Sequence, residues 1–223
     1  MRMFKVGALI ATLVLGLSAS AQAATITFDN TGLAGGSFSY GGAGGPVTGS
    51  GIGFNLIVGS ATPLNSGAAL VCSGCTLSFT SGANTSEGPM VWTFGGAGAG
   101  SFVVSGGVPA LGIAAGSALL TGSVTGAVAT NIVADQVTLI LAGPDTKHAA
   151  ILAFFGLTGS TFTFASTNID GAATVGGDGS FSSRSVDEAD IVNTSAAAVP
   201  EPLSLGLFSL GLFVVGARMR ARQ

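Results

Sequence analysis

Between residues 24 and 192 the chain alternates short apolar runs with turn-forming residues. "ATITFDN" alternates apolar and polar positions and halts at Asp29-Asn30-Thr31-Gly32, the period of a half-buried strand. "IGFNLIVG", "AALV", "CTLSFT", "MVWTFGG", "GSFVVSGG", "SALLTGSVTGAVAT", "DQVTLILAG" and "STFTFAST" read as further strands, each bounded by Gly, Pro, Asn, Asp or Ser. "LAGGSFSYGGAGGPVTGSG" (33–51) is so rich in glycine that it reads as a flexible loop. "DTKHAAILAFFGL" (145–157) breaks the rhythm. Its Ala, Leu and Phe content predicts a short helix with Asp145 as N-cap, a strand being the alternative. The pattern predicts a mainly β, single β-sandwich or jelly-roll-like domain over 24–192, with 193–199 as a linker. No fixed-period repeat is present, which argues against a solenoid.

Composition agrees with this reading. Of 223 residues 37 are glycine and only 8% are charged. Mean hydropathy is +0.68. Between the ends, however, no apolar run approaches the roughly 18 residues of a membrane-spanning helix. Residues 24–199 carry nine acids against Lys147 and Arg184, a net −7. An acidic domain without a basic patch repels phosphates, so nucleic acid is not an expected partner.

The search for catalytic chemistry comes back nearly empty. The sole histidine, His148, has no G-x-S-x-G elbow to serve, and a helix-start role is the plainer expectation. One His and two Cys make a poor zinc set. No dinucleotide or Walker fingerprint accompanies the glycines. Asp170, Asp178, Asp187, Glu188 and Asp190 cluster late in the chain. Their spacing does not match a calcium loop, and solvated surface charge is the expectation. A carboxylate pair for glycoside hydrolysis is the alternative, but one Trp and one Tyr offer little sugar platform. Thus no catalytic residue, metal or cofactor is assigned. Cys72 and Cys75, in "VCSGCT", fit a local structural disulfide about a Ser73-Gly74 turn, with free thiols or a redox pair as alternatives.

The two ends carry addresses. "MRMFKVGALIATLVLGLSASAQA" (1–23) combines basic Arg2 and Lys5, an apolar stretch from Val6 to Leu17, and an Ala21-Gln22-Ala23 cleavage site. This predicts a signal helix, the Sec machinery and signal peptidase as partners, and a mature start at Ala24. At the other end (200–223), Pro200-Glu201-Pro202 forces an extended stretch. The uncharged segment 203–217 then covers roughly 22 Å as a helix. That is a marginal span of a hydrocarbon core of about 30 Å. Arg218, Arg220 and Arg222 would hold its end on the cytoplasmic side.

The order of signal peptide, Pro-Glu-Pro, short span and arginine cluster resembles the PEP-CTERM sorting signal of Gram-negative bacteria, over about 25 of the 223 residues. The resemblance implies an exosortase, a membrane cysteine protease, that processes the chain near Pro200-Glu201-Pro202. It also implies an inner-membrane-anchored intermediate and delivery to the cell surface or beyond, often among exopolysaccharide. The expected function is therefore structural or adhesive, at the cell surface or in the extracellular matrix, and not enzymatic. The alternatives are a secreted carbohydrate-binding module or hydrolase, and a permanently anchored protein.

Overall fold

The structure, a computed structural model, describes residues 23–33, 35–95, 100–131, 133–160 and 162–195, and of 163–166 the backbone alone. The signal segment before Ala23, the PEP motif, the expected span and the arginine tail lie outside these residues. Among the described residues no helix is long and apolar enough to cross a membrane.

The compact unit Ala24–Ala196 is mainly β. Its strands are β1 (Thr25–Asp29), β2 (Ser37–Tyr40), β3 (Pro46–Ser60), β4 (Ala69–Glu87), β5 (Val91–Gly95) and β6 (Ser101–Val108). After a turn of 3-10 helix follow β7 (Ile113–Gly122), β8 (Gly126–Thr130) and β9 (Gln136–Lys147). The helix α1 (Ala149–Phe155) leads into β10 (Phe162–Val175), β11 (Phe181–Ser183) and β12 (Glu188–Ser195).

All pairings are antiparallel, and the hydrogen bonds close on themselves. The four long strands β3, β4, β9 and β10 run the length of the unit. Each remaining position is filled by two short strands in line: β1 then β2 beside β3, β5 then β6 beside β4, β7 then β8 beside β9, and β11 then β12 beside β10. The pairs β1–β12, β2–β11, β5–β8 and β6–β7 complete the circuit. The result is a meander closed into a barrel of eight strand positions. The expected β class holds, but the described strands form one closed sheet, not the two sheets and crossing connections of a sandwich or jelly roll. Among the described strands, closure leaves no lateral sheet edge to template aggregation.

The breaks between in-line strands explain two glycines within long strands. Where β7 passes into β8, Ser123 N–H donates to Pro144 O at 3.2 Å and Thr125 N–H to Ala142 O at 2.8 Å. The connection thus lies directly on Gly143, where an added Cβ would strike the Ser123 carbonyl. Likewise β11 passes into β12 over Gly171: Arg184 N–H reaches Ala172 O at 2.7 Å and Asp187 N–H reaches Asp170 O at 2.8 Å. A Cβ on Gly171 would strike the Ser185 carbonyl. These glycines sit inside strands because a neighbouring backbone occupies the place of a side chain.

Four expectations change. Residues 33–51 are not a loop throughout: Phe38 and Tyr40 alternate inward on β2, and β3 begins at Pro46. "SALLTGSVTGAVAT" is not one strand but parts of β7 and β8. The helix does not start at Asp145, because β9 continues through Lys147, pairing Leu120 and Gly122 of β7. His148 is the actual cap, its Nδ1 accepting from Ala150 N–H at 3.2 Å. Finally, Asn193–Ser195 belong to β12 rather than to a linker, bonded on one side to β1 and on the other to β10.

The barrel is filled. At the pole where the chain enters and leaves, Ile151 and Phe155 of α1 are buried, and the Phe155 ring occupies the space a Cβ on Gly59 would need. At the far pole Phe38, Tyr40, Trp92, Phe94 and Phe181 form an aromatic cluster, with Phe181 5.0 Å from Trp92, 5.6 Å from Tyr40 and 6.2 Å from Phe38. Ring contacts of this kind add to simple area burial.

Candidate functional site

Ala24, the expected mature N-terminus, opens β1, and the last described residue, Ser195, closes β12. These two strands are antiparallel neighbours with Thr25 opposite Thr194. Ala24 N–H donates to Ser195 Oγ at 3.0 Å, and Ser195 N–H returns a bond to Ala24 O at 2.8 Å. The two junctions to the terminal segments are therefore side by side at one pole.

Cys72 and Cys75 are bonded to each other, their Cα atoms 5.7 Å apart. The bridge closes a bulge inside β4, not a turn between strands. From Val71 to Cys75 β4 takes four steps, where its partner β3 takes two, from Leu56 to Phe54. Gly74, at φ +60°, supplies the left-handed residue the bulge requires. The expected structural disulfide is thus present, buried against Gly106 of β6, where a Cβ would come within 2.7 Å of Cys75 Cα. Converting both cysteines to serine should cost about 2 kcal/mol or less, since the closed loop is very short. Urea unfolding of oxidised, reduced and Cys72→Ser/Cys75→Ser protein measures it. A much larger loss would mean that the bridge holds more than the bulge.

The late acids do not converge on a pocket. Asp170, Glu188, Asp190 and also Asp29 stand on the outer face of β10, β12 and β1, with Asp170 opposite Glu188 and Asp190 opposite Asp29. Asp187 holds Ser185 Oγ at 3.0 Å beside them, while Asp178 lies apart in the β10–β11 turn, accepting from Ser180 N–H at 3.1 Å. Thr138 Oγ1 and Asn168 Nδ2 donate to Asp170. Among the described residues no group of three or more His, Cys, Asp and Glu is placed to hold a metal ion.

Burial, then the charges of Asp29 and Glu188, push the Asp190 carboxyl above the usual carboxylate range. A folded-state pKa above the unfolded one means stability is lost as pH rises through it. Asp190→Asn should therefore stabilise the domain at neutral pH by roughly 0.2–1 kcal/mol. The gain should vanish below the unfolded carboxylate pKa of about 3.9. Thermal melts at the two pH values test this; a gain that persists in acid would exclude charge repulsion as its cause.

One cluster was not foreseen. Asp145 and Lys147 follow Val137, Leu139 and Leu141 on the inward face of β9, and both side chains are fully shielded from solvent. Lys147 Nζ lies 2.5 Å from Asp145 Oδ1 and 3.7 Å from the centroid of the Phe162 ring. Burial raises the Asp145 carboxyl and lowers the Lys147 ammonium, each opposed by the partner's charge and hydrogen bond. Asp145 Oδ2, Thr167 Oγ1 and both amide atoms of Asn193 are buried without a hydrogen-bond partner. The signal was available: continuing the alternation of Val137, Leu139 and Leu141 through Gly143 by three further pairs places both charges inside, and Ala189, Ile191, Asn193 does the same on β12.

No protein-family model, curated protein or solved structure matches the chain.

Proposed function

We propose that this is an exported structural or adhesive protein of the cell surface or extracellular matrix. A signal helix directs export, a C-terminal membrane helix holds the domain at the inner membrane, and an exosortase cuts near Pro200-Glu201-Pro202. The observation that carries the reading is the pairing of β1 with β12, which brings both junctions to one pole. A domain whose first and last strands are neighbours suits export by a leader and retention by a tail. The filled interior, and acids that share an outer face without lining a pocket, suit a passive scaffold better than a hydrolase. β12 ends at Ser195, so four residues separate it from Pro200. Four residues reach at most about 14 Å, so on this reading the cut would fall near the pole.

Intact-mass analysis of protein recovered from the host's surface tests this reading. The expected species begins at Ala24 and has lost the arginine tail. A mature form retaining both ends would sink the processing claim. Replacing the Pro-Glu-Pro triplet with alanines should leave the tail attached in the membrane fraction. Unchanged release would point to a different protease signal.

A further inference from the structure

We propose that the outer face of β8, β9, β10 and β12 is a docking surface for a short cationic, amphipathic polypeptide segment. The register builds this face from two halves. On β8 and β9, Val128 stands opposite Ile140, and these outward side chains are 36% and 45% exposed. In the row beside them Thr130 pairs with Thr138, so this half carries no charge. On the next two strands the same rows become acidic. Thr138 is opposite Asp170, which is opposite Glu188; Ile140 is opposite Asn168, which is opposite Asp190. Single exposed apolar residues are ordinary, but here apolar neighbours adjoin a group of carboxylates. From Val128 to Asp190 the surface crosses three strand spacings, about 14 Å. About four or five extended residues cover that distance.

Charge selects the occupant. Asp170, Glu188 and Asp190 are joined by Asp29, which faces Asp190 from β1. None of these four carboxylates is in an ion pair among the described residues. The lysine and the arginine of residues 24–199 are engaged elsewhere: Lys147 is sealed inside with Asp145, and Arg184 donates to Thr174 Oγ1 at 2.9 Å. The upward push on the Asp190 carboxyl, from burial and then from Asp29 and Glu188, reflects a repulsion that no cation offsets. A second copy would bring further acids to the face, and an anionic lipid surface would be repelled. A segment with apolar residues at one end and Lys or Arg at the other matches both halves, its apolar end on Val128 and Ile140 and its basic end on the carboxylates. These strands are bonded along both edges, so side chains carry the contact and no strand is added to the sheet. The inference does not depend on the export reading.

The purified protein, with whatever ends it carries, is titrated into a fluorescently labelled synthetic peptide of three leucines followed by three lysines, and anisotropy gives the affinity. A peptide of three serines followed by three lysines carries the same charge. The leucine peptide is expected to bind roughly tenfold more tightly than the serine peptide. Ile140→Ser should weaken its binding by about fivefold, and Glu188→Gln with Asp190→Asn by about tenfold. Glu87→Gln with Asp178→Asn removes the same charge around Gly179 at the far pole, and should change the affinity by less than about twofold. Absence of binding overturns the proposal, as does equal affinity for the two peptides, and both results come from the wild-type protein alone. Equal weakening by the two double variants would mean general charge attraction and overturn it too. Sedimentation showing a dimer that Ile140→Ser disperses would assign the face to a second copy instead.

Discussion

Replacing Lys147 with methionine, with Asp145 left in place, is expected to lower the unfolding free energy by about 3–5 kcal/mol. The reason is desolvation. The Asp145 carboxylate has no exposure to water, its Oδ2 has no partner, and the Lys147 amine is its one opposite charge at contact distance. Removing the amine leaves that carboxylate to protonate or to unfold the pole. Its pKa in the folded variant then rises further, so the loss should be greatest at neutral pH, should shrink as pH falls through that raised value, and should be gone below the unfolded carboxylate value of about 3.9. Replacing both residues together, Asp145→Leu with Lys147→Met, should recover most of the loss, because a well-packed apolar pair carries no desolvation cost. Urea unfolding midpoints for the single and double variants at two pH values decide the matter. A single variant within about 1 kcal/mol of wild type would mean the pair is not sealed from water.

Phe181→Ala should be as damaging, and in a different place. Truncating a fully packed phenylalanine costs about 3–5 kcal/mol. Phe181 is also the shared neighbour of Trp92, Tyr40 and Phe38. It lies on the shortest strand, β11, which has three residues and links β10 to β2. Without this anchor the far pole should open at that link before the rest of the barrel unfolds. Hydrogen exchange should show amides of β2 and β11 losing protection, while those of β1 and β12 keep theirs. Uniform loss of protection would instead mean that the barrel opens only as a whole.

The strand class was legible because inward and outward residues alternate with a period of two along β1, β5 and much of β9. What failed was the reading of polar residues in strand interiors. Asp145-Thr146-Lys147 looks like the polar start of a helix, yet the strand continues, with the two charged side chains paired inside the barrel. Phe38 and Tyr40 carried the alternation of β2, but the surrounding glycines hid it. Asn193 looked like linker composition although it extends the inward series of Ala189 and Ile191. The closed meander was not legible either. Nothing local distinguishes a strand that runs the whole barrel from two in-line segments, because the break at Ser123–Thr125 is set by contact with Gly143, a residue from another strand. The cysteine bridge was correctly anticipated, but its setting within a bulge depends on the count of residues in β3.

The placement of β12 has a mechanical consequence. The strand runs from the middle of the barrel to the pole where the chain departs, bonded along both edges to β1 and β10. Consider a force applied at Ser195 along the strand axis. It loads the two ladders of hydrogen bonds together in shear, so they resist collectively rather than opening one after another like a zip. Resistance to force is governed by the unfolding barrier rather than by equilibrium stability. A domain tethered through Ser195 is thus gripped in the direction in which its last strand is hardest to extract.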